Sequence, residues 1–508
     1  MRHVWLRAIF AGPLVIALLA LVHPAEAGKK DDTLNIATNQ EITNVDKYFN
    51  ASRVGTWIQH LGWDFLFHID RNTSKVVPGL ATSYKYVNDK TIELELRKGV
   101  KFHSGKELTA DDVVYTLNYI SSPKNPQVDK RMIDWIDHAE KIDPYRVRIV
   151  ANKTYPAAPH ILAGFIAIYP NGCYDKDGNQ AMNLRPDGTG PYKIVEAELP
   201  KKVVFVKNNH YYAESPKGRP SVGKIVMRVI PDMNTQAAEL LSGRMDMLLN
   251  VPADLAEDLG RNPNFKLDKA ATMRCWYLTM DAAGRAMETP FKKLKVRQAV
   301  AHAINREEIV ENLVRGPSEV LHSPCYPAQF GCTSDVTRYD YNPEKAKKLL
   351  AEAGYPNGFK TKLFSNQERA ICEAIINYLK AVGITAEFQF VEFAALRSGW
   401  RKGETPLALT TWGSSSIFDV SAFTPVFFKM DKDDVSHDPE VAGWFKAGDT
   451  VMDPQARLVN YTKAYKKIAD QAYWLPMFTG VMNYVYTKDL DFKPTPDELP
   501  QFYNARWK

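Results

Sequence analysis

Hydrophobic and charged residues alternate in the segment before residue 97, where Ile92, Leu94 and Leu96 are separated by glutamates. A period of two is typical of a β-strand with one face in a core and the other in water. Two glycines then punctuate turns. Thr109, followed three residues later by Asp112, resembles a capping box with Asp in place of Glu. The pattern predicts strand, turn, strand, turn and helix start between residues 78 and 113.

Other short runs of apolar or alternating residues predict further strands. They cover residues 34–37, 146–150, 203–206, 225–230, 277–281, 386–391 and 409–412. Residues 188–192, rich in glycine, predict a turn into a strand.

Helical spacing appears in several other places. Five apolar residues fall on one predicted helical face: Val296, Ala299, Val300, Ala303 and Ile304. Asn305 is placed to cap the next helix, and Asn342 to cap another. Helices are also predicted over residues 56–67 and over 367–382, where Gly383 ends the pattern.

The first 27 residues have the pattern of a secretory signal peptide. Arg2 and Arg7 flank the start of an apolar run of 15 residues, and Ala25-Glu26-Ala27 matches a cleavage site. A membrane anchor is the alternative, but the run is shorter than the roughly 20 residues of a span and contains Pro13. We predict cleavage after Ala27 and no later membrane span. No cysteine lies near this site, so we expect no lipid anchor and a location free in the periplasm.

Length and charge narrow the class of protein. About 480 residues remain after cleavage, too many for one core, and predict two or three packed lobes. Without the first 27 residues the chain has 63 basic and 58 acidic residues, a formal net charge of +5. This mild excess contains no basic block of the kind that nucleic-acid binding needs.

Five cysteines in an exported chain leave at least one unpaired. Cys325 and Cys332 are the best placed for a disulfide, because they close a short loop between turn residues. Five reduced thiols are the alternative, and the sequence leaves the state of Cys173, Cys275 and Cys372 open.

Three long stretches closely resemble the signatures of family 5 extracytoplasmic solute-binding proteins, the peptide and nickel receptors of ABC importers. They are PGLATSYKYVNDKTIELELRKGVKFHSGKELTADDV from Pro78, TPFKKLKVRQAVAHAINREEIVENLVRG from Thr289 and YNPEKAKKLLAEAGYPNG from Tyr341. The resemblance implies an α/β, bilobed periplasmic-binding-protein fold (type II, cluster C-like) with an extra domain inserted in the first lobe. It maps 28–66, 185–275 and 480–508 to lobe I, 67–184 to the inserted domain and 276–479 to lobe II.

The segment from Leu409 to Asp419 is the best candidate for ligand contact. A strand that ends in Trp-Gly and opens into small residues suits the lip of a cleft, where backbone NH and hydroxyl groups can hold polar ligand atoms. Peptide-binding members of the family carry here an Asp, about three residues after the Trp, that pairs with the ligand's α-ammonium. This chain has serine there, and Asp419 resembles a second acidic position displaced by one residue. The candidates are Trp412, Gly413, Ser414, Ser415, Ser416 and Asp419, although Asp419 could instead cap a helix.

Other candidates would recognise the charged ends of a ligand. Arg369, in a place that resembles a carboxylate-binding region of relatives, and Arg274 could each hold a carboxylate in bidentate fashion. Trp276, two residues after Arg274, is a further candidate for ligand contact. With 63 basic residues in the mature chain, a surface position without a ligand is the alternative for each arginine. Asn39 and Glu41 follow the first strand, and Glu41 could replace the missing Asp as the partner of an ammonium group.

Several motifs are rejected. The GVKFHSGK stretch from Gly99 has the wrong spacing for a P-loop, and Asp175 to Gly178 lacks the spacing of an EF-hand. The scattered histidines predict no metal site, and no GxSxG elbow is present. A hydrolase that uses the three serines stays a remote alternative, because triads assemble in space.

The sequence thus predicts a non-enzymatic receptor of an ABC importer, without cofactor, that binds a di- or oligopeptide or a peptide-like polar solute. A nickel chelate, glutathione or an opine-type conjugate is the alternative cargo. The expected partners are this small ligand and the membrane permease with its ATPase, and the protein is expected to be a monomer.

Overall fold

The structure is a computed structural model that describes residues 28–50, 52–125, 130–285 and 289–508. The predicted signal peptide lies outside these residues. The strands are β1 Thr33–Thr38, β2 Phe67–Ile69, β3 Val76–Pro78, β4 Ala81–Asn88, β5 Thr91–Leu96, β6 Ile136–Asp143, β7 Arg146–Ala151, β8 Tyr192–Glu198, β9 Lys202–Lys207, β10 Lys224–Val229, β11 Met247–Leu249, β12 Phe265–Met280, β13 Phe359–Ser365, β14 Ile384–Phe390, β15 Leu407–Trp412, β16 Trp474–Thr487, β17 Leu490–Asp491 and β18 Arg506–Trp507. The α-helices are α1 Arg53–Gly62, α2 Ala110–Ser121, α3 Ala158–Gly164, α4 Ala181–Leu184, α5 Met233–Leu241, α6 Ala253–Gly260, α7 Leu294–Ala303, α8 Arg306–Ile309, α9 Pro343–Glu352, α10 Arg369–Ala381, α11 Phe393–Lys402, α12 Pro439–Thr450 and α13 Pro454–Asp470.

A ten-stranded sheet runs through both lobes in the order β14-β13-β15-β12-β16-β11-β1-β10-β9-β8. At one end β1 pairs in parallel with β10 and β11, and at the other end β13 pairs in parallel with β14 and β15. The long antiparallel strands β12 and β16 lie between the two groups. This arrangement confirms the predicted mixed α/β class and bilobed architecture, while the residue boundaries of the lobes stay predictions.

The strands β12 and β16 cross from one lobe to the other at an irregularity in their pairing. Ala271 pairs with Val481 and Cys275 pairs with Thr479, so three residues of β12 stand opposite the single residue Gly480. A Cβ atom on Gly480 would lie 3.0 Å from Oγ1 of Thr272, and this close approach favours glycine. Such a bulge redirects the side chains of the extra residues. The predicted strand at 277–281 is therefore only the end of a much longer one.

A separate four-stranded antiparallel sheet, in the order β4-β5-β7-β6, is built from the segment between residues 81 and 151. The alternating residues of β5 are buried as predicted, with Ile92, Leu94 and Leu96 at most 4% exposed. The capping box at the start of α2 is confirmed, since the Asp112 carboxylate accepts a hydrogen bond from the Thr109 amide at 2.9 Å. Sequence pattern predicted β5 and β7 of this sheet, whereas β6 was not predicted.

The prediction for the first helix is wrong at both ends. The helix α1 starts three residues earlier, where Ser52 Oγ accepts a hydrogen bond from the Gly55 amide, and it stops at Gly62 rather than at residue 67. The chain at Gly190 passes directly over this end: a Cβ there would lie 2.4 Å from the carbonyl carbon of Gly62. A contact between segments this far apart in sequence overrides the local helical pattern.

The predicted disulfide between Cys325 and Cys332 is present. Cys275 and Cys372 are free and buried, and Cys173 is free and partly buried. Burial raises the pKa of all three thiols. They are therefore protonated at neutral pH and poorly reactive.

Candidate ligand-binding site

The residues from Gly413 to Asp419, here called the serine loop, follow the end of β15. Ser414, Ser415 and Ser416 have φ angles of 53°, 49° and 63°, in the left-handed region. This conformation costs a non-glycine residue roughly 1–2 kcal/mol, so surrounding contacts have to hold the loop in place. The Ser414 hydroxyl is buried and lacks a hydrogen-bond partner among the described residues. A buried hydroxyl without a hydrogen-bond partner is uncommon in a folded protein and calls for an explanation.

The disulfide loop supports the serine loop from one side. The Gln329 side chain, inside the ring closed by the disulfide, donates to the carbonyl of Ile417 at 2.8 Å. The amide of Phe330 donates to the carbonyl of Phe418 at 2.9 Å. Neither contact was predicted from the sequence, although the disulfide was.

The other side of the serine loop rests on an ion cluster formed by Arg53, Arg274 and Glu498. Arg274 donates to both Glu498 oxygens at 2.7 and 2.8 Å, and Arg53 donates to Glu498 Oε2 at 2.8 Å and to Ser416 Oγ at 2.7 Å. Gly413 lies against all three charged side chains, since a Cβ there would be 3.1 to 3.3 Å from them. Two guanidinium groups share one carboxylate, so this cluster carries a net positive charge.

The cluster changes the interpretation of Arg274. Its guanidinium, predicted to be open to a ligand carboxylate, is occupied by Glu498 in this structure. Burial alone would raise the pKa of Glu498, but Arg274 and Arg53 hold that pKa at about 2. The bulge in β12 directs Arg274 towards the C-terminal segment, and the Met273 amide bonds the Pro496 carbonyl at 2.7 Å. Glu498 and Arg53 lie far from residue 274 in sequence and were missed.

Asp419 is also occupied within the protein. It is fully buried, accepts a hydrogen bond from the Ser421 amide at 3.0 Å and pairs with Arg457 at 2.9 Å. Asp419 thus caps a short helix, which was the alternative to ligand binding, and it forms an ion pair as well. Both contacts use Oδ1, while Oδ2 is buried without a hydrogen-bond partner among the described residues. Because Asp419 is fully buried, this conformation does not offer its carboxylate to the cleft as an ammonium partner.

The two tryptophan candidates lie in different surroundings. Trp412 is partly exposed at the end of β15, and its indole NH donates to the Ala422 carbonyl at 3.2 Å. Trp276 is 9% exposed and packs against Phe478 in a hydrophobic core cluster.

The remaining candidates are exposed. Arg369 lies at the start of α10, pairs with Glu373 at 3.2 Å and stacks over Phe388. Asn39 and Glu41 follow β1, and the Gln40 side chain between them accepts a hydrogen bond from the amide of Val54, next to Arg53. The loop after β1 therefore lies near the ion cluster, whereas no contact joins Arg369 to it.

An open cavity of about 880 Å³ lies beside α11 and was not predicted. Its lining is strongly charged: Phe393, Ala394, Arg397, Ser398, Arg401, Lys402, Asp431, Lys432 and Asp433. A small second void shares Phe393 and Arg397 with this cavity, and it is also lined by Trp412, the residue before the serine loop.

Two further observations concern the described part of the chain. No group of three or more His, Cys, Asp or Glu side chains there is placed to hold a metal ion. Within the same residues, no helix has the length and apolar character needed to cross a bilayer.

Comparison with known proteins identifies the class. Residues 75–434 match the model of the bacterial extracellular solute-binding proteins, family 5, middle region. Because this match covers more than half of the sequence, the chain belongs to that family of solute-binding proteins, which are receptors rather than enzymes.

Individual relatives span nearly the whole chain. Heme-binding protein A of Haemophilus influenzae is 28% identical over 82% of this chain and 81% of its own length. The glutathione-binding protein GsiB of Escherichia coli K12 is 26% identical over 98% of this chain and 99% of its own. The crystal structure of the ABC transporter substrate-binding protein CtaP from Listeria monocytogenes has a TM-score of 0.83 at 22% identity, covering 95% of this chain and 99% of that one. The last likeness concerns the fold alone.

Proposed function

We propose that this chain is the periplasmic receptor of an ABC importer and binds a di- or oligopeptide, or a peptide-like polar solute, by closure of its two lobes. The serine loop carries the proposal. We infer that it lies where the lobes meet; it is held in a strained conformation, and Ser414 keeps a buried hydroxyl without a partner among the described residues. Strained loops held by their surroundings are typical of ligand-binding sites. Lobe closure would bury the ligand and present the closed form to a permease and its ATPase.

The arrangement of charges bears on the cargo. The acidic group of the serine loop, Asp419, is paired with Arg457, and Arg274 is paired with Glu498. A buried ammonium without a carboxylate partner is costly. We therefore expect peptides with a masked amine to bind at least as well as free-amine peptides, unless Glu41 supplies the missing carboxylate. Glutathione, an opine-type conjugate or a nickel chelate stays the alternative cargo, and one relative is a glutathione-binding protein.

Ligand recovery is the direct test. Protein purified from its native host is denatured, and the released small molecules are identified by mass spectrometry. A thermal-shift panel then compares dipeptides and tripeptides, their N-acetyl forms, glutathione, an opine and a nickel–histidine complex. Stabilisation by a peptide or peptide-like compound is expected. Stabilisation by the nickel complex alone would overturn the peptide-like cargo.

The same preparation tests the location and the assembly state. We propose that the chain is exported with removal of residues 1–27, stays unlipidated and acts as a monomer. The mass of the mature protein from the periplasmic fraction should begin at Gly28 without an added lipid, and light scattering should give the monomer mass.

A hydrolase on this scaffold is disfavoured by the surroundings of the three serines. Ser416 Oγ accepts from Arg53 and donates to the Asp497 carbonyl at 2.5 Å, and within the described residues no histidine bonds any of the three hydroxyls. A serine nucleophile needs such a base. Incubation with peptide and ester libraries should give no turnover. Turnover that Ser415→Ala abolishes would overturn the receptor proposal.

A further inference from the structure

The cavity beside α11 is lined by a helix face and by the loop around Asp431, and both walls are fixed by buried polar contacts. Asp434 is fully buried and accepts hydrogen bonds from the amides of Met430, Ser436 and His437 at 2.8 to 3.1 Å. Arg285 joins the two walls, since it donates to the carbonyls of Lys432 and Trp400, both at 2.7 Å. The shape of the cavity is therefore built into the fold.

One buried carboxylate organises two arginines on the wall of this cavity. Asp433 pairs with Arg397 at 2.8 Å and with Arg401 at 2.8 Å, and each arginine uses its Nε and Nη2 atoms for this contact. Although burial alone would raise the pKa of Asp433, the two guanidinium groups hold that pKa at about 2. The Nη1 group of each arginine has no protein partner among the described residues. A pair of guanidinium groups held in this way is pre-organised for a second anion.

Two lysines add charge that the protein does not neutralise. Lys402 and Lys432 are exposed on the lining, and in the described part of the chain no carboxylate pairs with either ammonium group. Four cationic and two acidic side chains line the cavity, which gives it a net charge of +2. A concave basic surface attracts anionic solutes and raises their local concentration.

The cavity lies near the candidate site. Trp412 and Phe393 line the small second void, and Phe393 is 42% exposed at the rim, where it offers an apolar wall. The next residue, Gly413, touches the ion cluster in which Arg53 and Arg274 share Glu498. An excess of positive charge therefore lies on both sides of the Trp412–Gly413 pair.

We propose that the α11 cavity is an anion subsite, in which Arg397, Arg401, Lys402 and Lys432 bind the carboxylate of an acidic peptide-like solute beside the serine loop. This inference rests on the proposed function and narrows its substrate class to solutes that carry a carboxylate beyond the peptide terminus.

The test compares two nearly isosteric dipeptides, Ala-Glu and Ala-Gln, by isothermal titration calorimetry. Citrate serves as an anionic probe that does not depend on the peptide, and tryptophan fluorescence reports its binding. Lys402→Gln/Lys432→Gln is the informative variant, because neither lysine supports the fold. Lys380→Gln, an exposed lysine of α10 outside the cavity, is the matched control.

We expect Ala-Glu to bind more tightly than Ala-Gln, and the double variant to lower its affinity on the order of tenfold while Ala-Gln changes less than twofold. The control should leave both affinities unchanged, and raising the salt concentration should weaken the binding of Ala-Glu more than that of Ala-Gln. Equal affinity for the two dipeptides without citrate binding would overturn the anion subsite and leave the peptide receptor standing. Citrate binding that the double variant abolishes, without binding of either dipeptide, would support the subsite and rule out free-amine dipeptides as the cargo. Binding of none of the three would overturn the anion subsite.

Discussion

Arg274 and Glu498 form a bidentate ion pair, with Nε to Oε1 at 2.7 Å and Nη2 to Oε2 at 2.8 Å, at the point where β12 and β16 pass between the lobes. Arg274 belongs to the bulge of β12, and Glu498 belongs to the C-terminal segment, with a φ of 58°. Arg53 of α1 completes the contact. The pair therefore ties three segments together beside the serine loop.

Removal of the shared carboxylate should destabilise the protein strongly. Glu498→Gln leaves two partly buried guanidinium groups without their partner, and we expect a loss of about 3 kcal/mol in the free energy of unfolding at pH 7. Urea unfolding measures this loss, and Glu404→Gln is the control, since Glu404 is exposed and forms no ion pair with any residue that the structure describes. A loss below about 1 kcal/mol would place this pair among ordinary surface ion pairs.

The same substitution should change the acid sensitivity. The pKa of Glu498 is lowered from 4.5 to about 2 in the folded protein, so its stabilisation is present above pH 4.5 and is lost as the pH falls towards 2. The difference in unfolding free energy between the parent and Glu498→Gln should therefore shrink over this window. A difference that stays constant from pH 6 to pH 3 would contradict the assigned role.

Ionisation of Asp46 should lower the stability of the protein, whereas ionisation of Glu498 raises it. It is fully buried and accepts hydrogen bonds from the hydroxyls of Tyr169 and Tyr174 at 2.9 and 2.7 Å, yet burial raises its pKa from 3.8 to about 6. The unfolded chain ionises first, so stability falls by up to about 3 kcal/mol as the pH rises from 3.8 to 6. Unfolding of Asp46→Asn at pH 4, 5 and 6 should lack this decline relative to the parent, and the exposed Asp89→Asn should retain it.

The central serine of the strained loop should tolerate glycine well. Ser415 has a φ of 49°, and glycine adopts this conformation without the steric cost of a Cβ atom. We expect Ser415→Gly to stabilise the protein by about 1 kcal/mol in thermal unfolding at most. Ser398→Gly, within α11, is the control and should destabilise by a similar amount. Destabilisation by both would mean that the Ser415 side chain makes a contact the loop needs.

Asp419 and Arg457 should prove to be structural residues. Asp419→Asn leaves a buried guanidinium with a neutral partner, and we expect a loss of about 2–4 kcal/mol in unfolding free energy. The dissociation constant of any ligand found for the protein should change less than threefold. A large loss of affinity in a variant of near-parental stability would instead return Asp419 to the role predicted from the sequence.

Reduction of the disulfide should weaken both stability and ligand binding. The ring closed by Cys325 and Cys332 contributes about 2.5 kcal/mol on the chain-entropy model, and its Gln329 supports the serine loop. The Cys325→Ser/Cys332→Ser variant should therefore unfold at a lower temperature and bind its ligand less tightly. Cys372→Ser, at a buried free thiol, serves as the control and should leave affinity unchanged.

Sequence patterns predicted those parts of the fold that depend on neighbouring residues. The alternation at Ile92 to Leu96, the capping box at Thr109 and the short disulfide ring all lie within a few residues of their determinants. The end of α1 was mispredicted because it depends on Gly190, more than a hundred residues away.

The candidate site shows the same division. The serine loop and its missing aspartate are visible in the sequence, since they depend on residue type at consecutive positions. The ion pairs around the loop are not visible in the sequence, because each candidate is paired with a distant residue: Arg274 with Glu498, and Asp419 with Arg457. No local signal distinguishes an arginine that is free to bind ligand from one that is already paired.

The continuous sheet has a mechanical consequence. The lobes are joined through β12 and β16, whose ladder of backbone hydrogen bonds fixes the register on each side of Gly480. A two-stranded ribbon twists and bends readily, but it does not allow one strand to slide along the other without breaking that ladder. The movement of one lobe against the other should therefore be a rotation about the ribbon, centred on the bulge. Double electron–electron resonance between spin labels on the two lobes would show this as a change in angle and distance without a shift in strand register.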